Sequence, residues 1–463
     1  MFNEDMVEQA VLDSFKSMGY AFADPTLIGP DAPQKERAAY GEVLLLGRLR
    51  EAVARLNPSI PPEAREAAIK QITQSETPSL IEENRRIHTL LTRGVDVEFK
   101  RPDGSLKGDK VWLLDFGQPE ANDWMVTNQF TVVEGGHNRR PDVVVFVNGL
   151  PLAVLELKSA ASATATVEDA FAQLQTYKEQ IPSLFRTNAV LIASDGLYGR
   201  IGSLTASEDR FMPWRSVTGA EGDFTPSGPR ESDTLIRGVF DKARFLALIR
   251  DFTVFGDKGD GPFKIVAGYH QFFGAQKALD CTVEAVQPSG DRKIGVIWHT
   301  QGSGKSFLMA FFAGLVVRAQ ALGNPTVLVL TDRNDLDDQL YGTFAMCKDL
   351  LRQTPEQVTD REDLRARLDR QSGGVVFSTL QKFSPEKGEE HFPELSDRRN
   401  IIVLVDEAHR SQYGFDVKLN KGTGIRRYGY AHYVREALPN ASFAGFTGTP
   451  IDAADVNTRA VFG

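Results

Sequence analysis

The chain has 463 residues, 41% of them hydrophobic, with 53 lysines and arginines against 62 aspartates and glutamates for a net charge of −9. That length supports about three domains with cores of their own, and the acidic balance excludes a histone-like or polybasic protein while leaving room for a local basic groove. Two cysteines, Cys281 and Cys347, exclude a disulfide framework and read as ordinary buried thiols in a reducing compartment. The opening residues, MFNEDMVEQA, lack a basic region followed by an apolar core, and no apolar run is long enough to cross a bilayer. The expected location is therefore the cytoplasm, with no membrane partner.

In chain order, YGEVLLLGRLREAVARL reads as an amphipathic helix stopped by NPSIPP, and SLIEENRRIHTLLTRG as a second helix closed by Gly94. Strand-like stretches follow: KVWLLDF, DWMVTNQFTVV, PDVVVFV and LAVLELK. Two of them form the stretch NRRPDVVVFVNGLPLAVLELKSA, which carries Asp142, Glu156 and Lys158. Glu156 and Lys158 lie two apart on a strand and so share a face. Asn148-Gly149 marks the turn, but a strict two-residue hairpin pairs Asp142 with Leu155 and leaves Glu156 on the opposite face. A three-residue loop, or one bulge in either strand, pairs Asp142 with Glu156 and gathers all three groups; such an irregularity is expected. The bland alternative is a set of exposed charges on an ordinary hairpin. Against it, AVLELK is apolar on both sides of Glu156, where an idle carboxylate is costly.

Downstream, VEDAFAQLQTYKEQI reads as a helix with Gln173 and Tyr177 one turn apart on one face. After Trp214, SVTGAEGDFTPSGPRESD has no periodicity and reads as a linker or long loop, followed by DKARFLALIRDFTVF as an amphipathic helix. From about residue 263 the apolar strands KIGVIWHT, PTVLVLTD, GGVVFSTL, IIVLVDEA and SFAGFTGT alternate with helical stretches, which predicts a parallel sheet covered on both faces. There is no internal repeat.

IGVIWHTQGSGKSFLMAFFAGLVV is strand, polar turn, then helix. The backbone of Gly302, Ser303 and Gly304 can curl around phosphate at a helix N-terminus, with Lys305 supplying charge and the Ser306 hydroxyl offered to Mg²⁺. This is a P-loop, with His299 where the full pattern asks for glycine. IIVLVDEAHR is a buried strand ending in acids, placed to be a neighbouring strand of the same sheet. Asp406 would hold Mg²⁺, through water or directly, and Glu407 would orient and deprotonate the attacking water. Together these halves make a nucleoside triphosphate hydrolysis site at the carboxyl ends of the strands.

Residues 265–450 resemble the first motor domain of superfamily 2 helicases. YHQFFGAQKAL matches the motif whose Gln271 reads adenine; GSGKS and DEAH, the latter ending at His409, match motifs I and II. FTGTP, with Thr447 and Thr449, matches the motif that couples hydrolysis to movement, and VLTDRNDLDDQ and STLQKF stand where the superfamily contacts the DNA backbone. Asp142, Glu156 and Lys158 resemble the site of PD-(D/E)xK nucleases, in which the carboxylates hold one or two Mg²⁺ and the lysine positions the attacking water. Gln173 and Tyr177 resemble the additional motif of RecB-like nucleases, or cap a wet helix face. Glu83 or His88 is a further candidate ligand.

A nuclease in front of a helicase motor is similar to the restriction subunit of type I restriction-modification systems. WHTQGSGKS, LTDRNDLDDQL, DEAHRSQYG, RPDVVVFVNGLPLAVLELK and IPSLFRTNAVLIASDG carry that likeness over nearly the whole chain. It implies an α/β protein: a PD-(D/E)xK, RecB-like nuclease domain with a mixed sheet over 1–215, a linker and connecting helix over 216–262, and a RecA-like P-loop motor domain over 263–463. It also implies double-stranded DNA as substrate, ATP and Mg²⁺ as cofactors, and methyltransferase and specificity subunits as partners, S-adenosylmethionine entering only through the methyltransferase. The family's second motor lobe, with its arginine, is expected beyond Gly463, so the chain reads as a fragment of a longer protein, or a truncated product, that binds ATP, hydrolyses it poorly and does not translocate. The rival readings are another nuclease-motor enzyme, of the type III restriction or recombination class, and a non-catalytic DNA-binding scaffold.

Overall fold

The computed structural model describes residues 4–159, 166–257, 259, 261–300, 302–331, 334–385, 391–408, 418–419, 426–427, 430–448 and 462. The chain divides into two compact units, Met1–Tyr269 and His270–Gly463. The division falls at Tyr269/His270 rather than at the boundaries 215 and 262. Residues 216–262, read from sequence as linker and connecting helix, lie within the first unit and carry the helices Glu231–Val239 and Lys242–Asp251. The second of these stops at Asp251, short of the helix expected over DKARFLALIRDFTVF. Thr253–Asp257 instead pairs antiparallel with Pro262–Val266.

The first unit is built on a six-stranded mixed sheet, in the order Ala21–Phe22, Trp124–Asn128, Val143–Val147, Leu150–Leu157, Val190–Ser194, Gly199–Gly202. The first and fourth pairings are parallel and the others antiparallel. Both hairpin strands, Val143–Val147 and Leu150–Leu157, are buried along their whole length. Central strands covered on both faces need apolar residues at every position, which is why these runs do not alternate. Val144, Phe146, Val154 and Leu191 share one core with Ala170, Leu174 and Tyr177 of the helix Val167–Gln180. The three helix residues recur at four and three, the spacing of one helical face. That helix starts on a full capping box, with Thr166 and Asp169 each accepting from the other's backbone.

The second unit holds a six-stranded sheet that is parallel throughout, in the order Lys293–Trp298, Ser442–Thr447, Ile401–Val405, Thr326–Thr331, Val375–Thr379, Glu356–Gln357. All five expected strands are present. One expectation is corrected: the strand ending at the Asp-Glu pair does not neighbour the P-loop strand, because Ser442–Thr447 lies between them. Four of the strands, at 326–331, 375–379, 401–405 and 442–447, are fully buried. Among the described residues no helix is long and apolar enough to cross a membrane, and neither Cys281 nor Cys347 is in a disulfide.

Candidate active sites

In the first unit the turn Asn148-Gly149 has φ of 52° and 77°, the left-handed pair that a two-residue hairpin turn requires. A side chain at Gly149 would place its Cβ 2.4 Å from the backbone oxygen of Leu45, so this position demands glycine on packing as well as conformation. From the turn the register runs Val147 with Leu150 and Phe146 with Pro151, then shifts to Val145 with Ala153. Leu152 is thus the extra residue of a β-bulge, the irregularity expected from the sequence. Past it, Val144 meets Val154 and Val143 meets Leu155, a register that carries Asp142 opposite Glu156.

Asp142 is fixed by the backbone: its Oδ2 accepts from the N–H of Leu157 at 2.7 Å and its Oδ1 from Gln129 Nε2 at 3.2 Å. Lys158 Nζ donates to Glu156 Oε1 at 2.6 Å. Glu156 is 2% exposed, and its other oxygen, Oε2, is buried with no hydrogen-bond partner among the described residues. Burial, then the charge of Asp142, pushes the Glu156 carboxyl up to about 8 against the pull of Lys158 and Tyr177. Burial also raises Asp142. Burial alone would lower the Lys158 ammonium, but its bond to Glu156 and the charges of Glu156 and Asp142 hold it above its ordinary value.

Residues 154, 156 and 158 share one face of their strand, the face on which the helix Val167–Gln180 packs. Gln173 Nε2 donates to the Tyr177 hydroxyl at 3.0 Å, and Tyr177 is buried, its hydroxyl raised by burial and by the charge of Glu156. Asp142, Glu156, Lys158, Gln173 and Tyr177 therefore form one connected cluster. Glu83 and His88 do not join it among the described residues. Glu83 pairs with Arg86 at 2.6 Å, and His88 packs its ring 5.1 Å from that of Phe255, with burial pushing it down to about 3.

Two acids the sequence reading missed stand in their place. Glu4, on the helix Glu4–Ser17, brings Oε1 within 3.4 Å of Lys158 Nζ. Glu8, one turn on, accepts from Asn128 Nδ2 and Gln129 Nε2, each at 2.6 Å, and Gln129 bridges it to Asp142. Their signal was the i, i+4 spacing of two acids beside the buried Val7 and Val11. The cluster fits a hard cation: buried carboxylate oxygens, one of them without a partner, are the donor set Mg²⁺ prefers.

In the second unit the strand Lys293–Trp298 runs into the P-loop, and the helix Lys305–Arg318 leaves it. Gly302 and Gly304 have φ of 83° and 92°, and a Cβ on Gly304 would sit 2.6 Å from Gln271 Nε2. That nitrogen donates to the backbone oxygen of Gly304 at 3.1 Å, so Gln271 touches the loop itself. Ser303 Oγ bonds His299 Nδ1 at 2.6 Å, and the His299 ring lies 4.8 Å from that of His270. His299 thus supports the loop from the position where the P-loop pattern has glycine, and its N–H donates to Thr447 O at 3.0 Å.

Lys305 Nζ lies 2.9 Å from Asp406 Oδ1 and is also paired with Glu407. Asp406 is buried at the end of Ile401–Val405, and burial raises its carboxyl. Glu407 follows with φ of 52°, a conformation unusual for a side chain with a Cβ, while its N–H donates to Asp406 Oδ1 at 3.0 Å. Ser306 is half-buried on the first turn of the helix, and Thr447 is fully buried at the end of the intervening strand. His409 and Thr449 lie outside the described residues. A glycine-lined loop at a helix N-terminus, facing a lysine and two acids, fits a nucleotide phosphate with its Mg²⁺.

Residues 1–210 match the family described as type I restriction enzyme R protein N terminus, and residues 270–463 match the SWI2/SNF2 ATPase family. The HindI type I restriction enzyme endonuclease subunit of Haemophilus influenzae is 44% identical over all of this chain and 44% of its own length. A Methanocaldococcus jannaschii protein, MjaIXP, named as a candidate endonuclease subunit of the same class, is 35% identical over the same shares of both chains. The chain spans less than half the length of these curated relatives.

Proposed function

We propose that this chain is part of the restriction subunit of a type I restriction enzyme, because residues 1–210 match the type I restriction enzyme R protein N terminus and residues 270–463 match the SWI2/SNF2 ATPase family. The proposed activity is ATP-driven translocation of double-stranded DNA and cleavage of unmodified DNA away from the recognition site, in the cytoplasm of a bacterium or archaeon. Methyltransferase and specificity subunits would recognise the site and its methylation, the methyltransferase alone using S-adenosylmethionine.

One observation carries this reading: two separate compact units each hold a complete cluster, Asp142–Glu156–Lys158 in one and Lys305–Asp406–Glu407 in the other. In the first, Asp142 and Glu156 present the oxygens that hold Mg²⁺, Lys158 positions the attacking water, and Gln173 and Tyr177 orient Glu156 from the packed helix. When bound, Mg²⁺ supplies Lewis-acid polarisation of the phosphate and lowers the pKa of water. Glu156 gives up its proton for that role, so the site fills more readily as pH rises toward about 8.

In the second unit the backbone of Gly302, Ser303 and Gly304 wraps the phosphates, Lys305 neutralises them, and Ser306 and Asp406 hold the nucleotide's Mg²⁺. Glu407 takes the proton of the attacking water. Gln271 reads adenine, His409 is assigned to the nucleotide-binding set with its motif, and Thr447 and Thr449 couple the site to movement. Lys305 is held by both carboxylates, so phosphate binding exchanges an internal partner for an external one. Glu407 is thereby released to act as base.

The test is to purify the native protein carrying this chain from its host and identify its companions by mass spectrometry. Stoichiometric methyltransferase and specificity subunits are expected. The chain alone, or bound to recombination proteins, would move the motor and nuclease to another system.

A further inference from the structure

We propose that His391, His432 and Glu436 form a binding site for one zinc ion in the second unit, separate from the nucleotide site. His432 and Glu436 stand four residues apart on the helix Tyr430–Ala437 and so project from one face. His391 comes from the segment packed against that helix. The residue after it, Phe392, is buried in the unit's core, which fixes where His391 can reach. Each of the three side chains offers one ligand atom, and these atoms lie within 4.8 Å of one another.

The arrangement turns on Glu436. Its Oε2 accepts from the Phe392 backbone N–H at 3.0 Å, which orients the carboxylate. Its Oε1 is aimed between the two rings, 2.6 Å from His391 Nδ1 and 3.1 Å from His432 Nε2. Zinc holds nitrogen and oxygen ligands at roughly 2.0–2.2 Å in a tetrahedron, which separates neighbouring ligand atoms by about 3.3 Å. The separations of 2.6 and 3.1 Å lie just under that value, and all three ligand atoms lie within 4.8 Å of one another, so small rotations of the exposed His391 and the half-buried His432 and Glu436 suffice to form the shell. The backbone bond to Oε2 is the outer partner that metal-ligating carboxylates have.

The donor set chooses the metal. Two imidazoles and one carboxylate suit zinc, whereas Mg²⁺ and Ca²⁺ take oxygen donors. His391 is exposed, so the ion reaches the site directly from solvent. Its place in the fold gives it a consequence: the helix Tyr430–Ala437 leads into Ser442–Thr447, the strand that ends at Thr447. Zinc bound here ties the segment at His391 to that helix and stiffens the approach to Thr447.

The experiment titrates Zn²⁺ into the whole chain against a chromophoric chelator, and Co²⁺ by its visible bands. Asp142→Ala is introduced throughout so that the nuclease carboxylates do not compete. One tight equivalent is expected, with tetrahedral-type cobalt bands. His391→Ala, His432→Ala and Glu436→Gln should each weaken it about tenfold or more. His391 is exposed, so its replacement leaves the fold intact and circular dichroism unchanged. A chain without a tight equivalent, or His391→Ala and Glu436→Gln proteins that titrate like their parent, would overturn the site.

Discussion

Asp142 accepts a 2.7 Å hydrogen bond from the backbone N–H of Leu157, a link that exists only because Leu152 is inserted as an extra residue in the facing strand. Without that bulge the register from the turn carries Asp142 to Leu155, and Glu156 turns to the other face of the sheet.

Deleting Leu152 should therefore abolish DNA cleavage. Leu152→Ala is the control, because it removes a similar amount of buried side chain, at a cost of about 2–5 kcal/mol, while keeping the register. Cleavage and thermal midpoint measured on both should separate them: both are destabilised, and only the alanine protein still cuts. Equal activity in the two would show that the register does not matter.

Glu156→Gln should remove cleavage and change stability in a pH-dependent way. The Glu156 carboxyl sits at about 8 in the fold against an ordinary 4.5. Between those values the folded state holds a proton that the unfolded chain has lost, so the parent loses stability as pH rises toward 8. Glutamine carries no such proton. Denaturant midpoints should agree near pH 5 and favour the variant near pH 9.

Lys305→Ala should weaken ATP binding by tenfold or more, about 1.4 kcal/mol, in a fluorescent-nucleotide titration. It removes the phosphate's charge partner and leaves Asp406 and Glu407 side by side without their cation. Mg²⁺ binding in the first unit should be unchanged.

Much of this was legible in the sequence because the chemistry is local. The strand IIVLV is buried at every position, as a parallel strand covered on both faces must be. Gln173 and Tyr177 meet because four residues make one helical turn. The order of strands was not legible: Ser442–Thr447 enters between the P-loop strand and Ile401–Val405, and the choice between adjacent and interleaved strands is made by packing far along the chain. Glu4 and Glu8 were missed for the same reason. On their own helix they look like a solvated face, and only the fold sets them beside Lys158 and Gln129.

Lys264 offers a test of the first unit's core. It is buried, donates to Asn84 Oδ1 at 3.1 Å and to Asn188 O at 2.6 Å, and burial pushes it down to about 7. The unfolded chain binds this proton up to about 10.4, so between pH 7 and 10 the unfolded state holds more protons and stability rises with pH. Below pH 7 the cost of the buried charge is fully present. Lys264→Met should flatten that rise in midpoints measured from pH 7 to 10.

The most direct test of the two-unit account is ATP-dependent cutting of unmodified circular DNA by the native enzyme carrying Asp142→Ala. The account predicts uncut circles with DNA-stimulated ATP hydrolysis at the parent rate, because Asp142 serves only the first unit's cluster. Circles cut at the parent rate, or ATP hydrolysis lost together with cutting, would contradict it.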